Sequence, residues 1–447
     1  MFRKLSLLFT VPDLRKKIFF VLAILVVFRL TAAIPVPGVD ILRLRAFLAG
    51  NQFFGLFNVF SGGVLDNLSI VMLGVGPYIT ASIIMQLLTM VIPRLKEINQ
   101  EEGEAGRMRF NQYARLLTVP LALLQSYGLI ILLTRQKILP PLALFVRVWK
   151  IPLPVGPMML TMLVAVAGTI FLMWLGELIT EKGIGNGVSF LIFAGIVARF
   201  LQSLGQELYS FCTITSSFPF LSSCQIDQIP KYLVFVVISL VVIAGVVIIS
   251  EGQRNVPVSY AKRIRGMRVY GGVSTHLPLR VNQAGVIPII FAISILLLPG
   301  LLGNILVGIP NALAQTVSHF LIQIFNNQLL YGIVYFFLVF IFTYFYTAVT
   351  FDPEQIADNV QKQGGFILGV RPGRPTAEFL MKILNRITLA GGLFLGVIAV
   401  LPLVVRAAFG VQALSIGGTA LLIVVSVVLE TMKQIEAQLA MREYESV

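Results

Sequence analysis

The chain has 447 residues, 57% apolar and 12% charged, with a net charge of +14 and a mean hydropathy of +0.90. No soluble globular composition matches these values, which leaves a polytopic α-helical membrane protein. Two cysteines without a CxxC pair, and two histidines predicted to lie on opposite sides of the membrane, give no metal site.

Apolar runs of spanning length lie near residues 18–34, 71–92, 114–134, 155–179, 187–205, 231–250, 283–307, 329–350, 387–405 and 413–430. The basic start and first apolar run could be taken for a signal peptide. Arg29 interrupts that run, and IPVPG follows where a small-residue cleavage site is expected, so it reads as a retained first span. Ten spans put both termini on one side. Assigning the termini and the loops after spans two, four, six and eight to one face collects 24 of the 34 Lys and Arg there, which makes that face cytoplasmic. A single Lys or Arg is then most simply an orientation charge.

Before span two, residues 57–70 are amphipathic and too short to cross a bilayer, with Ser61, Gly62, Gly63, Asp66 and Asn67 among apolar residues. A re-entrant short helix is expected there, which implies an internal aqueous space, because polar backbone at membrane depth survives only inside protein or beside water. The run 71–92 is expected to span. Its start is loosened by Gly74, Gly76 and Pro77, and it places Ile79 and Ile83 one helical turn apart. The loop after span two mixes Glu101, Glu102 and Glu104 with Arg107, Arg109 and Arg115, most simply a solvated turn. Span three carries Gln125 and Ser126, the mark of a helix contact or a wet face. GIGNGVS after span four lacks a phosphate-loop lysine and reads as a tight turn, and Val188 and Ile192 repeat the spacing of Ile79 and Ile83.

The chain divides into an N-terminal half (1–205, spans one to five), an external hinge segment (206–230) and a C-terminal half (231–447, spans six to ten). Five spans is an odd number, so the halves run in opposite directions, an arrangement that commonly surrounds a central pathway. Cys212 and Cys224 both fall in the hinge. If that face is oxidising, a disulfide between them is sterically conceivable, and two free thiols are the alternative.

Two cytoplasmic loops, 251–282 and 351–386, are too long to be simple connectors. The first alternates β-prone and basic residues around Gly266 and Met267, which predicts a projecting hairpin made positive by Lys262, Arg263, Arg265 and Arg268. The second contains the rigid turn Arg371, Pro372, Gly373, Arg374, Pro375. Basic protrusions favour an acidic partner such as RNA or an acidic protein face. Gly392 and Gly396 in span nine are spaced for close helix packing, and Ile423 is offered by span ten. The spans lack the midplane carboxylates and bases an ion-coupled transporter needs, and no histidine lies within a span to serve an intramembrane hydrolase.

The stretches FSGGVLDNLSI, LGVGPYITASIIMQLL, GIGNGVSFLIFAGIVA, YAKRIRGMRVYGG, FDPEQIADNVQKQGGFILGVRPG and GGTALLIVVSVVLE resemble the SecY family, the pore subunit of the bacterial protein translocase. The resemblance implies an all-α protein of ten transmembrane helices in two inverted five-helix halves, a clamshell channel rather than an enzyme, with no cofactor. It puts the pore constriction at Ile79, Ile83, Val188, Ile192, Ile290 and Ile423, and a plug at residues 57–70 including Phe57, Phe60, Ser61, Gly62, Gly63, Leu65, Asp66 and Asn67. Val188 replaces the isoleucine common in the family, one methylene less in the ring. A lateral gate is implied between spans two and three and spans seven and eight, with Gln125 and Asn282 as polar seam residues. Motor or ribosome docking falls to Lys262, Arg263, Arg265, Arg268, Arg371 and Arg374. Met267 stands where the family often has a second arginine, which shifts weight to Lys262, Arg263 and Arg265. The implied partners are SecE-like and SecG-like small membrane subunits, the SecA motor, the ribosome with its rRNA and proteins, signal peptides and nascent secretory or membrane proteins, and the lipid bilayer. The implied location is the bacterial inner membrane with both termini cytoplasmic, ahead of the thylakoid. The competing readings are an inverted-repeat solute transporter, disfavoured by the missing midplane charges, and a membrane scaffold, disfavoured by the broken second span.

Overall fold

The computed structural model describes residues 12–36, 39–50, 63–65, 67–100, 102–139, 157–213, 223–224, 229–260, 263–265, 268–270, 274–306, 312–409 and 417–445. The first apolar run forms α1 (Pro12–Ala33), and a short helix, α2 (Ile41–Gly50), follows. Asp40 caps α2, its carboxylate accepting from the Leu42 and Arg43 amides at 3.1 and 3.2 Å. After a stretch of turns comes α3 (Gly76–Val91), whose first turn holds Pro77, where no helical N–H is needed. Then follow α4 (Pro93–Gln100), α5 (Gly103–Arg135), α6 (Pro157–Lys182) and α7 (Gly187–Phe211). The expected tight turn before α7 is present. Asn186 caps it, Oδ1 accepting from Val188 and Ser189 at 3.1 and 3.3 Å. A Cβ on Gly187 would stand 1.8 Å from the Gly176 carbonyl oxygen of α6, so only glycine allows the two helices this approach.

The strands β1 (Cys212–Thr213) and β2 (Ser223–Cys224) precede α8 (Ile229–Glu251). Next are β3 (Gln253–Tyr260), β4 (Arg263–Arg265), β5 (Arg268–Tyr270) and β6 (Ser274–Arg280). The chain continues through α9 (Ile287–Leu306), α10 (Ala312–Asn326) and α11 (Gln328–Thr350). It ends with α12 (Pro353–Lys362), β7 (Gly365–Ile367), α13 (Arg374–Phe409) and α14 (Gly417–Glu445). Ten helices, α1, α3, α5 to α9, α11, α13 and α14, carry the ten apolar runs.

Within the first group of helices α3 lies along α5 and α6, α5 along α6, α6 along α7, and α1 on α6 and α7. In the second group α11 lies along α9 and α13, and α14 along α8 and α13. The groups meet where α9 crosses to α3 and α5, and where α14 meets α7. The GxxxG spacing in α13 serves close packing: a Cβ on Gly396 would fall 2.8 Å from the Phe336 ring of α11. Phe19, Leu240, Val241, Phe337, Ile341 and Val397 are each more than half exposed, as a lipid-facing surface requires.

Three expectations need correction. The run 71–92 is not one helix: Val71 to Val75 form turns and α3 has 16 residues, about 24 Å at 1.5 Å per residue and short of the ~30 Å apolar core. Residues 71–75 are all buried, which lets non-helical backbone persist there. The re-entrant segment 57–70 is not helical where it is described, since Gly63 to Leu65 and Asn67 to Ile70 are turns joined by an isolated bridge at Ser69. The turn expected over 371–375 is shorter, because α13 already begins at Arg374, with Pro375 in its first turn.

The two long loops are one structure. β3 is central in a three-stranded antiparallel sheet, with β6 on one side and β7 from the other loop on the opposite side. Val256, Val258, Leu279 and Ile367 bury against Leu380 and Ile383 of α13. A side-chain cap starts α12, Asp352 accepting from the Glu354 and Gln355 amides at 3.1 and 3.2 Å, an arrangement worth about 1 kcal/mol.

Candidate pore, gate and docking surface

Helix α3 brings Ile79 and Ile83 to the core, α7 brings Val188 and Ile192, α9 brings Ile290, and α14 brings Ile423. Ile83, Ile192 and Ile423 are no more than 2% exposed, while Ile79, Val188 and Ile290 are partly buried against the same apolar cluster. Six aliphatic side chains, four from α3 and α7 of the first group and two from α9 and α14 of the second, therefore belong to one apolar cluster. The six side chains themselves carry no polar group that would hold water, which favours a dry constriction.

Of the plug residues, Phe57, Phe60, Ser61, Gly62 and Asp66 lie outside the described residues. Gly63 adopts φ +77°, a left-handed conformation that glycine takes without strain. Val64, next to it, joins the cluster that holds the six aliphatic residues, together with Val71 and Val75. Leu65 turns to a second cluster with Leu68, Met72 and Leu73 and with Leu129, Ile130 and Leu133 of α5. Asn67 is partly buried. The segment is anchored to the chain after α1, where the Val36 amide donates to the Leu68 carbonyl at 2.9 Å and the Ile70 amide to the Ile34 carbonyl at 3.0 Å. Nothing in the sequence pattern announces this pairing, since its partners are more than thirty residues apart.

Gln125 in α5 and Asn282 before α9 are both buried, at 7% and 8% exposure. Asn282 is used locally, its Nδ2 donating to the Gly285 carbonyl at 3.2 Å, while its Oδ1 is buried without a partner. Helix α9 packs against α3 and α5. Helix α11 packs behind, on α9 and α13.

The expected basic hairpin is present as β4 and β5, with Arg263 opposite Tyr270 and Arg265 opposite Arg268. Lys262, Gly266 and Met267 lie outside the described residues. Arg371 and Arg374 are exposed on the other loop. Gly373 holds φ +92°, and the Thr376 hydroxyl donates to the Arg371 carbonyl at 2.8 Å, so the turn presenting these cations is fixed. Arg374 approaches Glu378 at 3.7 Å with both side chains mostly in solvent, a contact too exposed to neutralise the patch. Through β7 the second loop is held beside β3, which the individual loop sequences could not reveal. Cys212 stands opposite Cys224 in the β1–β2 register.

Among the described residues, ion pairs join α5 to α6 and α8 to α14. Arg115 of α5 meets Glu177 of α6 at 2.5 Å, and Lys433 of α14 meets Glu251 of α8 at 2.8 Å. The first corrects the reading of Arg115 as only a loop charge.

The family model described as SecY matches residues 69–432. A relative named protein translocase subunit SecY, from Streptomyces galbus, is 44% identical over 453 aligned residues, covering 98% of this chain and 97% of its own. Among solved structures, one described as a protein conducting channel superposes with a TM-score of 0.63 at 20% identity, covering 94% of this chain and 91% of that one. Another, Sec61 in a canine ribosome–channel complex from the endoplasmic reticulum, gives 0.59 at 19% identity, covering 94% and 91%. Similarity this low in identity speaks for the fold, ten helices in a two-halved clamshell, whereas the near-full-length match at 44% speaks for descent. On both grounds the chain belongs to the SecY family.

Proposed function

We propose that the chain is the protein-conducting channel of a bacterial Sec translocase, passing unfolded secretory polypeptides across the membrane and releasing transmembrane segments into lipid through a lateral gate. The observation that carries this reading is that Ile79, Ile83, Val188, Ile192, Ile290 and Ile423, from four helices of both groups, all belong to the large central apolar cluster, which also includes Val64 of the plug segment. An apolar ring suits a conduit that must let every side chain pass: it binds none strongly, and when narrow and empty it dewets and holds back ions. Opening separates the N-terminal half (1–205) from the C-terminal half (231–447) about the hinge 206–230, and the plug 57–70 leaves the ring as a polypeptide enters.

The lateral gate in this account is the seam of α9 against α3 and α5, with Gln125 and Asn282 as its buried polar groups. Because polar side chains there are sealed from water, a sufficiently apolar segment in the pore exchanges the seam for lipid at little cost. The two cytoplasmic loops, with Lys262, Arg263, Arg265, Arg268, Arg371 and Arg374, receive the energy source, a SecA-type motor or a ribosome. SecE-like and SecG-like subunits complete the assembly. The excess of Lys and Arg on one face supports an orientation with both termini in the cytoplasm, and the membrane in this reading is the bacterial inner membrane.

A stalled secretory chain in reconstituted vesicles tests the reading. Photocrosslinkers placed at Ile79 or Ile290 should capture the stalled polypeptide, while one at lipid-facing Phe337 should not. Capture at Phe337 alone would contradict a path through the ring.

A further inference from the structure

Between α7 and α8 the chain folds back on itself through two short antiparallel strands. In their ladder Cys212 stands directly opposite Cys224, and Thr213 opposite Ser223. These are the only two cysteines in the sequence. Directly opposed residues of an antiparallel pair have Cα atoms about 4.5 or about 5.5 Å apart, according to whether the pair is hydrogen-bonded. Both separations fall within the range of about 4.4 to 6.8 Å that a disulfide bridges without backbone movement.

We propose that Cys212 and Cys224 form a disulfide that staples the strap joining the two helical groups. Two S–H bonds break and one S–S bond forms. The two electrons and two protons pass to a disulfide-bearing thiol oxidant on the external face, which becomes a dithiol. This rests on the topology proposed above, which puts β1 and β2 outside the cytoplasm, where such bonds persist.

The bridge changes what the hinge can do. Seventeen residues, 212–228, separate Phe211 at the end of α7 from Ile229 at the start of α8. Fully extended, that strap reaches roughly 60 Å and would not limit separation of the helices. With the bridge closed, the covalent path runs through the disulfide and residues 225–228, and its reach falls to roughly 25 Å. Residues 213–223 become a closed lobe that bears no tension. The disulfide thus sets an upper limit on how far the helical groups part at this end, and its reduction removes that limit.

The test uses the full chain in native membranes. Free thiols are blocked with a permeant maleimide, the protein is denatured and reduced, and newly exposed thiols are tagged with a mass-shifting maleimide. Wild type should acquire two tags only after reduction, and Cys212→Ser or Cys224→Ser none, because the remaining single thiol is blocked at the first step. A variant with a protease site inserted within residues 214–222 should, once cut, run as one chain without reductant and as two pieces with it. Blocking of both wild-type thiols before reduction, or a bridge that links two chains, would overturn the proposal. Topology is read separately. In Cys212→Ser, an impermeant maleimide added to intact cells should label Cys224, and labelling only in inverted vesicles would refute the external placement whatever the thiol state of the wild type.

Discussion

Arg115 Nε lies 2.5 Å from Glu177 Oε1, tying α5 to α6 at the ends of two apolar runs, with 40% and 19% of the side chains exposed. Removing one partner leaves the other charge beside apolar helix faces, whereas removing both leaves none. Glu177→Gln is therefore expected to lower stability by about 1–2 kcal/mol, and Arg115→Met with Glu177→Leu to cost less than the sum of the single changes. Thermal unfolding of the four proteins in detergent measures the coupling. Strict additivity would show that the pair is incidental.

Val258 and Ile367, 2% and 3% exposed, face each other across the strands that unite the two cytoplasmic loops. A carboxylate at Ile367 would be buried against Leu380 and Ile383 without a partner, so Ile367→Asp should release β7 while the spans stay folded. Ile367→Val, a single methylene, should cost only about 0.5–1.5 kcal/mol. Limited trypsin digestion reads the difference: cleavage after Lys362 should accelerate several-fold in the Asp variant and hardly at all in the Val variant. The bonds after Arg371 and Arg374 precede proline and resist the enzyme.

The parts of this molecule that were legible in the sequence are those with a local signature. A 3.6-residue period put Ile79 beside Ile83 and Val188 beside Ile192, and Gly-rich or Pro-rich stretches marked turns at Asn186 and Arg371. What stayed hidden depends on distant partners or on a single backbone angle. β7 has too few residues to read as a strand until β3, more than a hundred residues earlier, offers it an edge. The helical expectation for 63–75 fails because Leu68 and Gly74 take φ of +43° and +59°, and because the segment pairs with the chain after α1. Arg115 read as a loop charge because its partner Glu177 lies more than sixty residues on, and only the α5–α6 packing brings the two together.

The docking surface is tested by charge reversal. Arg371 is exposed and Arg268 sits in the β4–β5 hairpin, so exchanging either for Glu costs little folding energy but opposes an acidic partner. Arg371→Glu and Arg268→Glu should each reduce motor-driven import into vesicles several-fold, with normal amounts of protein in the membrane. Normal import by both variants would remove these cations from the docking site.

The seal is the centre of the account, and Ile83 is its most buried contributor from α3. Ile83→Asp places a carboxylate in the cluster that Ile192, Ile423 and Val64 share. An unrelieved charge at a helix centre costs about 2.5–3.5 kcal/mol on insertion scales, and water drawn into the constriction relieves it. The ring would then be wet at rest. Planar-bilayer conductance of the resting protein is the direct measurement: Ile83→Asp should pass ions where the wild type does not, and a variant that stays as tight as the wild type would contradict the apolar seal.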